Sequence, residues 1–265
     1  MNQQSLVTRV VDALEPDERI RGLFLTGSFG RGTADQWSDV DLLALVEKEQ
    51  QEAVAADWRQ VLEAITPIVY WNRLPWAFVL NAVSEDWLRC DLSLAGPGET
   101  RGMTQDRAKP LIDRDGVYST LSATLPPPEI DRRKLEGTVN EFIRVLGLTP
   151  VAVGRGEVEL IGIGTGMLRR MLTDLLVIEM NHADTGGILH LSRLLDAERM
   201  ALMETIPVPE RSIESALASQ AALARTFLPR AKALYAELGM DWPERFEEAT
   251  RKTLATHIPG LDTGW

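Results

Sequence analysis

At 265 residues, with 45% apolar and 25% charged side chains and no low-complexity tract, the chain has an ordinary globular composition with room for one or two domains. Its formal net charge of -11 argues against broad docking on nucleic acid, whose phosphates reward a surplus of Lys and Arg, and favours a small or cationic partner. A lone cysteine, Cys90, excludes an intrachain disulfide framework and a multi-cysteine metal site.

The opening MNQQSLVTRVVDALEPDER has neither the basic region nor the continuous apolar stretch of a signal peptide, and no run is long enough to span a bilayer. The expectation is a cytoplasmic protein with no membrane segment. Ser5 is a plausible N-cap for a first helix whose Leu6, Val7, Val10, Val11 and Leu14 recur at helical spacing until Pro16. Strand candidates follow at 20–26 (IRGLFLT) and 41–46 (DLLALV), then a helix over 50–64 and the strand candidates PIVYW, AFVLNAV and WLRCDLSLA. A sheet with few helices predicts an α/β or α+β first domain.

Around residues 96–131 the texture changes: GPGETRGMTQDR is loop-like, KPLIDRDGVYSTL holds a turn at Asp115-Gly116, and Pro126 to Pro128 make a stiff break, because proline fits neither a helix interior nor a central strand. The boundary is placed there, giving domains 1–125 and 126–265. Beyond it, segments starting at 129, 166, 187, 212 and 243 all carry helical periodicity, so the second domain is expected to be an all-helical bundle.

Within LTGSFGRGTADQWSDVDLLALV, the glycine and small side chain of Gly27-Ser28 let backbone amides approach a ligand closely, and amides converging with a hydroxyl suit phosphate oxygens. Ten residues later Asp39 and Asp41 alternate along a strand, so both carboxylates project from one side. Like charges held that close repel, and a hard divalent cation such as Mg2+, taking carboxylates together with substrate phosphates, resolves the conflict. In WLRCDLSLA, Leu88, Cys90, Leu92 and Leu94 share one face and Arg89, Asp91 and Ser93 the other, which makes Asp91 a third metal ligand or a general base.

Glu179 falls on the apolar face that Leu168, Leu172, Leu175, Leu176 and Ile178 define, near a helix C-terminus where an acid is disfavoured. Either that face lines a cleft where Glu179 meets an acceptor, or its carboxylate reaches water or an arginine. GIGTGMLRR (162–170) hints at a phosphate loop but lacks the P-loop lysine, and His182, His190 and His257 lack close metal-ligand spacing. Trp37, Trp71 and Trp76 suit stacking on a base or acceptor ring as well as packing.

Gly27-Ser28, a ten-residue spacer and Asp39-Val40-Asp41-Leu42 resemble the signature of the DNA polymerase beta-like nucleotidyltransferase superfamily. GSFGRGTADQWSDVDLLALV is similar to its small-molecule branch, which holds the aminoglycoside and lincosamide nucleotidyltransferases; the likeness spans 23–46, with looser support from the Asp91 strand and LIDRDG. It implies that Gly27 and Ser28 hold a triphosphate, with a phosphate contact from Arg31. Asp39 and Asp41 would bind Mg2+, and Asp91 would complete the acids. The implied reaction is Mg2+-dependent transfer of AMP from ATP to a hydroxyl of a small, cationic acceptor such as an aminoglycoside-like antibiotic, with Asp91 or Glu179 as base. A protein-modifying enzyme of the antitoxin kind and a non-catalytic nucleotide-binding module are the alternatives.

Overall fold

The computed structural model describes residues 1–74, 78–100, 102–183, 188–261 and 264–265. Its contacts divide the chain into two compact units, Met1–Pro126 and Pro127–Trp265, each built round a core of its own. Trp76 and the first residues of two expected elements, Ala77 and Gly187, lie outside the described residues.

The first unit opens with α1 (Gln3–Leu14), capped by Asn2 rather than Ser5: the Asn2 side chain accepts a hydrogen bond from the Ser5 amide. Then come β1 (Gly22–Leu25), the single turn α2 (Gly27–Gly30), β2 (Val40–Leu45), α3 (Gln51–Ile65), β3 (Ile68–Arg73), β4 (Val79–Ser84) and β5 (Arg89–Ala95). β6 (Lys109–Asp113) and the short α4 (Val117–Thr120) complete the unit. The strands form one mixed sheet in the order β3-β4-β5-β2-β1-β6, with β2 parallel to β5 and antiparallel to β1.

Alternation decides what each face of that sheet carries. Val40, Leu42 and Ala44 of β2, Cys90, Leu92 and Leu94 of β5, and Leu80 and Ala82 of β4 are buried in one cluster. Leu6, Val7, Val10 and Leu14 of α1 and Val54, Ala55, Trp58 and Leu62 of α3 join that cluster. The residues between them, among them Asp41, Asn81 and Asp91, are half-buried on the opposite face. A sheet with one packed face and one face open to chemistry follows from the period of 2.

The segment around LIDRDG, for which the sequence predicts only a turn at Asp115-Gly116, contains the edge strand β6, paired antiparallel with β1 through a bulge. An edge tolerates Pro110, which a central strand would not. Asp113 ends the strand and accepts from the Val117 and Tyr118 amides, so the same acid starts α4.

The second unit is helical: α5 (Arg132–Gly147), α6 (Thr149–Gly154), α7 (Val158–Met180), α8 (Leu191–Leu194), α9 (Ala197–Thr205), α10 (Ile213–Glu237) and α11 (Glu244–His257). α5, α7 and α10 supply most of one core, in which Phe142 and Phe227 stack with ring centroids 3.8 Å apart. α7 begins well before the expected Gly166, so the GIGTG segment is helix interior rather than a phosphate loop. Buried Ile161, Thr165 and Leu168 hold the helix through its glycines, tertiary packing outweighing their poor propensity. The single helix expected after Gly187 is broken instead at Leu195-Asp196, where the Asp196 carboxylate caps α9 by accepting from the Arg199 amide.

Candidate active site

β2 and β5 run parallel with Asp41 opposite Asp91, which puts two acids side by side on the open face of the sheet. Asp39 stands one residue before β2 begins. Carboxylate oxygens of Asp39, Asp41 and Asp91 all lie within 4.8 Å of one another, and among the described residues this is the one group of three or more His, Cys, Asp or Glu placed to hold a metal ion. Hard carboxylate oxygens at that spacing suit Mg2+ or Mn2+ rather than a softer metal.

The turn above the acids requires glycine for two reasons. Gly27 has φ +55°, and a Cβ added there would stand 1.8 Å from Asp41 Oδ2. The backbone is tied to the same strand, with the Thr26 amide donating to the Asp41 carbonyl at 2.9 Å. Ser28 follows in α2. Its hydroxyl is buried and has no hydrogen-bond partner, an orphaned polar group of the kind that a bound ligand would satisfy.

Electrostatics reflects the crowding. Burial, then the charges of Asp39 and Asp91, push the Asp41 carboxyl up to about 6, while Arg31 and Arg89 pull the other way. Burial also raises Asp91, against a hydrogen bond from the Asn81 side chain on the neighbouring β4. Arg89 lies 3.5 Å from Asp39 Oδ2 and donates to the Trp37 carbonyl at 3.0 Å. The sequence assigned no role to Asn81 or Arg89. Their signal is a polar side chain in phase with the acids on an otherwise apolar strand.

Of the remaining candidates, Arg31 is half-buried and close enough to influence Asp41. Trp37 is 76% exposed, whereas Trp71 packs against the first unit's core. Glu179 is in the helical unit, where Arg230 donates to it at 2.9 and 2.7 Å and Arg199 at 3.0 Å. An arginine pair therefore accounts for an acid on that apolar face. His182 is committed to the Leu194 carbonyl at 2.9 Å, and burial leaves Cys90 a neutral core thiol with its pKa raised.

Residues 7–86 match the nucleotidyltransferase domain family. That stretch of the chain is a nucleotidyltransferase domain. The chain is an enzyme whose family match covers the Gly27-Ser28 turn, Asp39 and Asp41 and stops before Asp91, which the β2–β5 register brings in. Among solved structures, the chain is similar to an aminoglycoside 6-adenyltransferase from Bacillus subtilis at 17% identity, covering 97% of this chain and 100% of that one, with a TM-score of 0.43. It is similar to the Thermotoga maritima CCA-adding enzyme complexed with tRNA at 12% identity, 99% and 77% coverage and a TM-score of 0.37. A third likeness is to terminal uridylyl transferase 4 from Trypanosoma brucei, at 16% identity, 85% and 64% coverage and a TM-score of 0.28. No curated protein sequence matches the chain. Among the described residues no helix is long and apolar enough to cross a membrane.

Proposed function

We propose that the chain transfers a nucleoside monophosphate, AMP from ATP, to a hydroxyl of a small cationic acceptor and releases pyrophosphate. The observation that carries the reading is the convergence of Asp39, Asp41 and Asp91 within 4.8 Å, beside a glycine turn with a buried, unpartnered serine hydroxyl. Asp39 and Asp41 would hold the divalent cation, Mg2+, and Asp91 would join them or serve as base. Such an ion would supply charge neutralisation for the entering hydroxyl oxygen and the departing pyrophosphate. Gly27 and Ser28 would receive the triphosphate, since the first amides of a helical turn lack intrahelical acceptors and Ser28 Oγ adds a donor. The Arg31 side chain, half-buried beside this turn, would balance phosphate charge.

The acceptor oxygen forms its bond to the α-phosphorus as the bond from that phosphorus to the bridging oxygen breaks, and the hydroxyl proton passes to a carboxylate. Asp91 is favoured as base, because burial already raises its affinity for a proton and Asn81 orients it. Glu179, the other candidate, is held by Arg199 and Arg230. The acceptor class rests on the net charge of -11, which favours a cationic molecule over a polyanion.

The test is incubation of the full chain with Mg2+, each common nucleoside triphosphate and a panel of hydroxylated amines, including aminoglycosides, followed by pyrophosphate detection and mass spectrometry. A nucleotidyl adduct on an amine-bearing acceptor, lost in Asp41→Asn, is the expected result. Label appearing only on protein would point to a protein-modifying enzyme. Nucleotide binding without pyrophosphate release would leave a binding module.

A further inference from the structure

We infer that Arg89 is a positioning residue that holds Asp39 in place for the cation. The inference rests on reading Asp39, Asp41 and Asp91 as a divalent-cation site. Asp41 and Asp91 lie inside paired strands, opposite one another in the β2–β5 register. Asp39 does not: it ends the loop before Val40, so its carboxylate needs another hold if three acids are to meet within 4.8 Å.

Arg89 supplies that hold from the first position of β5. One arm of its guanidinium donates to the Trp37 carbonyl at 3.0 Å, and the other stands 3.5 Å from Asp39 Oδ2. The two distances divide the labour. The shorter contact is a full hydrogen bond that fixes the guanidinium to the loop two residues ahead of Asp39. The longer is an ion pair beyond good hydrogen-bond length, which orients the carboxylate while leaving its oxygens to a cation. The loop is braced from the other side, where the Gln3 side-chain amide donates to the Gln36 and Ser38 carbonyls at 2.9 and 3.2 Å and the Trp37 amide donates to Asp35 Oδ1 at 3.0 Å. The planar guanidinium holds both acceptors from one rigid fork; a lysine ammonium brings charge and donors without that fixed geometry.

Charge and geometry predict opposite signs. A fixed positive charge 3.5 Å from a cation ligand repels an incoming cation, so if charge were all that Arg89 contributed, its removal would tighten cation binding. If Arg89 positions Asp39, its removal weakens binding, and lysine does not restore it. Loss of a partner that orients a metal ligand typically lowers affinity about 10- to 100-fold.

The experiment is a Mn2+ titration of the full chain without nucleotide, followed by electron paramagnetic resonance of the free ion, on wild type, Arg89→Ala, Arg89→Lys and Asp41→Asn, with a melting curve for each. We expect Arg89→Ala and Arg89→Lys both to weaken Mn2+ binding at least about tenfold while Arg89→Lys melts like wild type. Wild-type or tighter affinity in Arg89→Ala, or retained affinity in Arg89→Lys, overturns the inference while the cation site stands, provided Asp41→Asn abolishes binding. Mn2+ binding that is absent in wild type, or unaffected by Asp41→Asn, overturns the cation site and the inference with it.

Discussion

Asp41 is squeezed between a glycine turn and two other acids, and its chemistry follows from that confinement. With its carboxyl pushed up to about 6 from an ordinary 3.8, the folded chain keeps a proton between those values that the unfolded chain has released. Metal-free stability contributed by this group is therefore present at low pH and lost as pH rises through about 6. Melting temperatures measured from pH 4 to 7 without metal should fall more steeply in wild type than in Asp41→Asn. Mn2+ affinity should run the other way, rising with pH and levelling off above about 6, because the cation needs the carboxylate. Gly27→Ala places a methyl 1.8 Å from Asp41 Oδ2 in a backbone conformation that alanine resists, so it should weaken Mn2+ binding at least about tenfold in the same titration. These residues are legible in sequence as a glycine and alternating acids. Asn81 and Arg89 are not, since their partners come from β5 and from the loop before β2, contacts that only the tertiary fold creates.

At the scale of elements, alternation along β2 and β5 fixes which side chains share a face, and that much can be read from period 2 alone. Which strand lies beside which cannot. The β2–β5 pairing joins segments about 50 residues apart, with α3, β3 and β4 between them. β6 escapes a sequence reading because Pro110 and Asp115-Gly116 signal a turn, although an edge strand accommodates the proline. The early start of α7 escapes because Gly162, Gly164 and Gly166, at alternate positions, interrupt the apolar pattern. Glu179 near the end of α7 joins it to α9 and α10 through Arg199 and Arg230. Its side chain is 12% exposed, so Glu179→Ala takes the hydrogen-bonded carboxylate from Arg230, leaves Arg199 with Asp196 alone and should cost about 3 kcal/mol of stability, read from urea melts. Glu179→Ala that loses turnover at unchanged stability would instead assign it to the acceptor.

At the scale of the molecule, two units with separate cores divide the chain at Pro126-Pro127. Composition and the proline run make such a division readable; the job of each unit has to come from its side chains. The helical unit's C-terminal end is organised by Glu247, 6% exposed, which accepts from Lys232 at 2.9 Å, Trp242 at 2.7 Å and Arg251 at 2.6 Å. Burial opposes its charge, but those donors prevail and hold its pKa low, so this stabilisation is kept at neutral pH and lost as acid protonates the group. Glu247→Ala should lower the melting temperature by several degrees and leave Mn2+ affinity unchanged, because the acids of the site belong to the first unit. The account as a whole stands on the acids of the sheet performing nucleotidyl transfer, and pyrophosphate release measures that step itself. Wild-type protein with Mg2+, ATP and an aminoglycoside panel should release pyrophosphate in step with a nucleotidylated acceptor, and Asp41→Asn should release none. Release that persists in Asp41→Asn, or no release from wild type with any nucleoside triphosphate and any acceptor, would contradict it.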